Sequence, residues 1–346
     1  MHRSLSRALI ACTAAAAVCA TATGWGGEGH EAVTYLALDA VEARLGDAGP
    51  AWLYLPNYRD RAAFESNTPD RRRAVRTDFM RHENDGEHYL DADMLADFGM
   101  TLRDLPRLRY EFVARVMQAR AERPADFEAW DREDDSAMVY LFPGFAPYAA
   151  MEAHAKLTSA FRVVRILEEI ETPTARQIAH LEQSRAEAVH HIGALSHWIG
   201  DLAQPLHTTI HHHGWVGPNP EGYTTEYAFH AYIDSGVLDH HGLVYSTIKP
   251  LATVSAPEID PADPWPAVLW HIEDSFSQLE RTYRYERDGV LTTEWGKRFI
   301  CDRLAHGAGT LAGLIAAAWE AAAPTDDERE AFWRYEAGSP MGGTQE

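Results

Sequence analysis

The chain has 346 residues, 46% of them hydrophobic, and a formal net charge of −21 at pH 7. So acidic a body repels polyanions at long range, which argues against a tight, non-specific nucleic-acid binder. It does not exclude a local site for one, because salt screens the repulsion over a Debye length of roughly 10 Å.

In chain order, the first expected element is a cleavable export leader over residues 1–24. Arg3 and Arg7 supply a basic start, Ala8 to Ala20 an apolar stretch and Ala22-Thr23-Gly24 a small-residue cleavage site. The stretch is too short to span a bilayer comfortably. Cys12, after Leu9-Ile10-Ala11, is a weaker lipoprotein signal, since the apolar core would then be very short. Export to the periplasm or the extracellular space is the expectation. Of the cysteines at 12, 19 and 301, only Cys301 would remain. No intramolecular disulfide could then form, and a chain of this size can bury a core without one.

From His30 to Leu45, the residues Val33, Leu36, Ala37, Ala40 and Val41 recur at helical spacing and Gly46 ends the run. His30 stands at its start, on the side shared with Val33 and Ala37. Helices are also predicted over 102–122, 152–171, 174–203, 225–235, 265–284 and 292–322. Strand alternation is nearly absent. Glu133, Asp134 and Asp135 read as a solvated acidic face. The stretch from His211 to Pro220 is punctuated by Gly and Pro and predicts a loop. Residues 336–346, with Gly338, Pro340, Gly342 and Gly343, predict a disordered tail. The expected architecture is one compact all-α domain over 25–335, monomeric and without a transmembrane segment.

Chemistry concentrates in the run His197-Trp198-Ile199-Gly200-Asp201-Leu202-Ala203-Gln204-Pro205-Leu206-His207. His197 and Asp201, four apart on a helix, share a face. Pro205 cannot continue the helix and biases Gln204 out of it, so the chain turns there and can return His207 to the same spot. Imidazole and carboxylate together suit zinc, although HxxxD alone is also what a buried structural His–Asp pair looks like. A second HxxxD follows at His230-Ala231-Tyr232-Ile233-Asp234. Upstream lie Glu87-His88-Tyr89-Leu90-Asp91-Ala92-Asp93 and Trp25-Gly26-Gly27-Glu28-Gly29-His30. His190, seven before His197, reads as a core residue or a support for the ligands. The triplet His211 to His213 reads as a loop near the site rather than a ligand set, because adjacent side chains diverge.

Together these motifs resemble the zinc-dependent nucleases of the fungal P-one and S-one type, with the bacterial zinc-dependent phospholipases C as relatives. The resemblance runs from Trp25 to about Asp234. It implies an all-α fold with three zinc ions. The first zinc would take His88, His197, an upstream aspartate and Asp201. The second would take His207, His230 and Asp234, and the third His30, Asp201 and the free amine and carbonyl of Trp25. Asp201 would thus bridge two ions. For the upstream aspartate, Asp70 is preferred to Asp78, because Arg73 then falls three residues on, where the nucleases carry a phosphate-binding arginine.

The implied activity is hydrolysis of phosphodiesters by zinc-activated water, with Asp201 and Arg73 as catalytic residues and single-stranded DNA or RNA as substrate. Tyr89 would stack on a base, as the nucleases use an aromatic there, or simply pack. The alternative is a phospholipase C acting on phosphatidylcholine-type lipids. In that reading Glu28, three after Trp25, would meet the cationic head group, and the acidic charge balance suits such a lipid better than a polynucleotide. A third possibility is an exported zinc-binding protein without catalysis, whose ligands would saturate the metal.

Overall fold

The computed structural model describes residues 25–338, so the leader at 1–24 lies outside the described residues. Among those described, helices dominate and the sole β pairing is an isolated bridge between Leu90 and Gly144. The helices form a single compact all-α domain.

Its axis is α7 (Ala175–Ala203), which packs against α1 (Gly27–Leu45), α2 (Pro56–Ser66), α6 (Ala146–Glu168) and α13 (Glu294–Ala321). Thr174 opens α7 with a capping box: its side chain accepts from Gln177 N at 3.3 Å, and Gln177 Oε1 accepts from Thr174 N at 2.9 Å. Every residue from Leu195 to Ala203 is buried. A helix hidden on all sides must satisfy any polar side chain internally, which makes His197 and Asp201 informative. At the end of α7, Gln204 leaves helical geometry (φ −88°, ψ 118°) ahead of Pro205, and its side chain accepts from Leu206 N at 2.6 Å. The expected turn is present, and it carries His207 back under α7.

Two short helices, α3 (Thr68–Arg72) and α4 (Asp78–Asn84), bring Asp70 and Asn84 to the site, and α5 (Arg109–Glu122) follows them in the chain. The helix expected over 102–122 is interrupted. Leu105, preceding Pro106, adopts ψ 128°, so only a short turn at Leu102–Asp104 precedes α5. The segment expected as a helix over 225–235 begins only at Phe229. There α8 (Phe229–Ala231) runs through one π-helical turn (Tyr232–Gly236) into α9 (Val237–His241). The remaining helices are α10 (Tyr245–Ile248), α11 (Trp265–Ser277), α12 (Leu279–Arg287) and α14 (Asp326–Gly338). A break at Gln278 divides the single helix expected over 265–284. Helix α14 continues to Gly338, into the segment expected to be a disordered tail, and the rest of that tail lies outside the described residues. No described helix is long and apolar enough to cross a membrane.

Candidate metal centre

Three groups of side chains converge: His30 with His197 and Asp201; Asp70 with His88 and His197; and His207 with His230 and Asp234. Helix α7 supplies the hub. Asp201 has no exposed surface, and its two oxygens face different partners. Oδ1 lies 3.3 Å from His30 Nε2, while Oδ2 lies 3.0 Å from His88 Nδ1 and 3.3 Å from His197 Nε2. Asp70, from α3, reaches the same cluster, with Oδ1 3.8 Å from His88 Nδ1 and 4.0 Å from His197 Nε2. Asp78 does not reach it. It is exposed at the start of α4 and accepts from Ser136 Oγ at 2.7 Å.

The ring orientations are held from behind. His197 Nδ1–H donates to Ser66 O (2.7 Å) and His207 Nδ1–H to His88 O (2.6 Å), so each presents its Nε2 lone pair to the cluster. Asn84 meets His88 Nε2 at 3.1 Å, and its own Oδ1 has no other partner. With the amide turned so that this oxygen accepts, His88 Nε2 carries the proton and Nδ1 presents the lone pair. In the second group, His230 Nε2 lies 2.9 Å from His207 Nε2 and 3.1 Å from Asp234 Oδ2. Gln204 Nε2 donates to Asp234 Oδ1 at 2.8 Å. The π-helical turn lies immediately C-terminal to His230 and contains Asp234; such turns are frequent at functional sites.

These sets fit cations. Both ring nitrogens of His30, Asp201 Oδ1, Asp70 Oδ1 and Asp234 Oδ2 are buried without a hydrogen-bond partner. Leaving so many acceptors dry and unpaired is costly unless a cation is held among them. Burial pushes the Asp234 carboxyl up to about 8, against the pull of His207 and the Gln204 hydrogen bond, so its ionised form lacks a sufficient counter-charge. Burial also brings His88 down to about 4 and His230 to about 3, which keeps both imidazoles neutral, the state a metal requires. Burial alone would raise Asp201, but the imidazoles of His197 and His207 outweigh it and hold the carboxyl well below the ordinary carboxylate range.

Trp25 is fully buried beside this centre. Its neighbour Gly26 donates its backbone N–H to Asp234 O at 2.8 Å. Gly200 makes the close approach possible: a Cβ there would stand 2.9 Å from His30 Nδ1 and 4.0 Å from Trp25 Cδ1. The expected role of the Trp25 amine depends on cleavage after Gly24, which lies outside the described residues.

A cavity of about 470 Å³ opens onto the centre. Arg73, His88, His207 and His230 line it, joined by Tyr89, Tyr140 and Tyr227 and by the carboxylates Asp85 and Asp91. Glu28 is exposed on the first turn of α1 and is not among the lining residues. The histidine triplet divides. His211 braces its loop by accepting from Val216 N (3.0 Å) and stacking on Trp215 (4.0 Å between ring centroids), while His212 and His213 line the cavity. His190 is neither core nor in contact with a ligand; it is part-exposed and pairs with Glu65 at 3.1 Å. Asp135 is buried rather than solvated, accepting from Val139 N and Tyr140 N at 2.9 Å each.

Asn84, Gln204 and the Ser66 carbonyl were not anticipated. Asn84 lies four residues before His88 and Gln204 within the quoted run, so spacing could have flagged both. The role of Ser66 depends on helix packing and has no local signal. No known family model matches the chain, and no curated protein matches it.

Proposed function

We propose that the chain is an exported, zinc-dependent phosphodiesterase, most similar in chemistry to the P-one and S-one nucleases, and that it hydrolyses single-stranded DNA or RNA. The observation that carries this reading is that three adjoining His/Asp groups lie beside one cavity, which His88, His207 and His230 of those groups line together with Arg73. The donor set of imidazole and carboxylate suits zinc. Asp201, Asp70, His88, His197 and His30 would hold two ions, with Asp201 shared and the Trp25 amine completing one of them. His207, His230 and Asp234 would hold a third. Zinc so bound makes water a nucleophile near neutral pH and offsets charge on phosphoryl oxygens.

The chain's own residues supply positioning. Ser66 O, His88 O and Asn84 set the imidazole tautomers, and Gln204 orients Asp234. Arg73, 22% exposed at the cavity edge, stands 3.9 Å from Asp70 and offers a planar fork to a phosphate. Tyr89 and the other tyrosines give the cavity flat, partly apolar walls. A cavity adjoining the ligands also favours an enzyme over a storage protein, whose metals would be enclosed.

The phospholipase C reading is favoured by Asp85 and Asp91 in the cavity lining: burial pushes the Asp91 carboxyl well up, and a cationic head group would supply the counter-charge its ionised form lacks. It loses the residue first expected to meet that group, since Glu28 stands outside the lining. Metal content and parallel assays decide between them. The nuclease reading expects close to three zincs per chain and release of nucleotides from single-stranded DNA or RNA. Arg73→Ala should lower turnover by roughly a hundredfold, the scale of losing one transition-state donor, with zinc unchanged. Cleavage of phosphatidylcholine alone would transfer the assignment to the phospholipase. A folded protein holding one zinc or none after preparation in excess zinc would sink both readings.

A further inference from the structure

The segment between Arg73 and Asp85 begins and ends at the cavity, since both of its end residues line it, and residues 74–79 between them are exposed. From 71 to 81 the chain carries five arginines, at 71, 72, 73, 76 and 81, against one acid, Asp78, in a protein of net charge −21. Asp78 is engaged with Ser136. Arg71 donates to Phe64 O at 2.8 Å and lies 3.9 Å over the Phe64 ring, and Arg81 pairs with Asp85 at 3.5 Å. Among the described residues, Arg72 and Arg76 make no hydrogen bond or ion pair through their side chains.

The same segment and the neighbouring end of α2 expose apolar surface. Helix α4 buries Asn84 alone, and Phe79 is 91% exposed, with Val75 at 50% and Phe64 at 57%. A single exposed apolar residue needs no explanation. Here an exposed phenylalanine stands in the same short segment as the Arg72 and Arg76 guanidiniums and follows Arg73, which lines the cavity. Alternating cation and flat ring is how proteins follow single-stranded nucleic acid, with guanidinium on phosphate and ring on base.

We propose that Arg72, Arg76 and Phe79 form a track that binds a single-stranded polynucleotide as it leaves the cavity past Arg73. The inference rests on the phosphodiesterase reading for the placement of the strand's end, while the track itself is a binding surface that can be measured apart from hydrolysis. It also reconciles an acidic protein with a polyanionic partner: repulsion from the body is screened, whereas the strip acts at contact.

The test is fluorescence anisotropy of the full, metal-containing chain with labelled phosphorothioate oligothymidylates, a dinucleotide and a twelve-residue oligomer, across a salt series. The longer strand should bind more tightly. Combining Arg72→Ala with Arg76→Ala should reduce that length preference on the order of tenfold and flatten the log–log salt slope by about 1.4, the value for two phosphates on a single strand. Phe79→Ala should weaken the longer strand on the order of tenfold with the salt slope unchanged, because stacking releases no counterions. A thermal melt checks that each surface variant is folded. If the length preference is the same in all variants, the track is overturned, even where the wild-type chain degrades single-stranded DNA and the nuclease reading stands. If the preference is lost in the variants but no oligonucleotide is ever hydrolysed, the track stands and the nuclease reading fails. Binding to anionic phosphatidylglycerol vesicles without oligonucleotide binding would overturn the track in favour of a lipid-facing surface.

Discussion

Asp201 illustrates how much a single buried carboxylate can organise. It has no exposed surface, and its two oxygens address His30 on one side and His88 with His197 on the other. Replacing it by asparagine keeps the volume but removes the charge and one of the two acceptors. Asp201→Asn should therefore cost about two metal equivalents, read by elemental analysis after dialysis, whereas Asp234→Asn should cost about one. Equal losses from the two variants would argue that Asp201 does not bridge. The spacing of His197 to Asp201 made the pair visible in the sequence. The contributions of Asp70 and His88 became visible only through resemblance, since neither lies within a turn of α7.

At the scale of elements, the site depends on how closely α2 sits on α7. A Cβ at Gly193 would meet Glu65 Cβ at 2.4 Å and Ser66 N at 3.0 Å, so glycine is what allows the end of α2 to lie flush. Because Ser66 O holds His197, Gly193→Ala should lower stability by about 1–3 kcal/mol and also weaken metal retention. A calorimetric melt alongside zinc analysis checks both, and a stability loss with metal retention intact would show that the two are uncoupled. Farther from the centre, Asp39 joins α1 to α2 and α10. Burial alone would raise its carboxyl, but hydrogen bonds with Lys249, Tyr245 and Arg59 overcome this and lower it. A lowered folded-state value means the stabilisation is present above the unfolded value of about 3.9 and is lost as pH falls through the folded one. Asp39→Asn should thus be less stable than wild type at neutral pH, and the gap should close on strong acidification. A gap that does not change with pH would rule out the charge as its cause.

For the whole molecule, the candidate metal centre is part of the core. Trp25, His30, His197 and Asp201 all have no exposed surface, and both ring nitrogens of His30 and Asp201 Oδ1 have no hydrogen-bond partner in the protein. Anything that binds only the folded state adds to its stability, by about 4 kcal/mol for one ligand at a thousand times its Kd. Chelation should lower Tm by on the order of 10 °C and zinc should restore it. A melt indifferent to chelator and zinc would remove the centre from the account of stability.

The helical class, the turn at Pro205, the loop after His207 and the pairing of His197 with Asp201 and of His230 with Asp234 were legible in the sequence because each rests on local periodicity or on a residue with one strong backbone preference. Proline and glycine punctuation act within a few residues, and HxxxD spacing is a property of one helix. The break at Pro106 also has a local cause, in the restricted backbone of the residue before it, whereas the division of labour within His211, His212 and His213 and the burial of Asp135 were decided only by tertiary packing. Asp70 and Asp78 are both surface-compatible acids near a basic run, and in the sequence only the resemblance, through Arg73 three residues after Asp70, favours the first. What separates them is that α3 abuts α7 while the first turn of α4 faces solvent. Long-range contacts of this kind depend on which helix faces have already been committed elsewhere, and a single sequence does not print that information at the residues concerned.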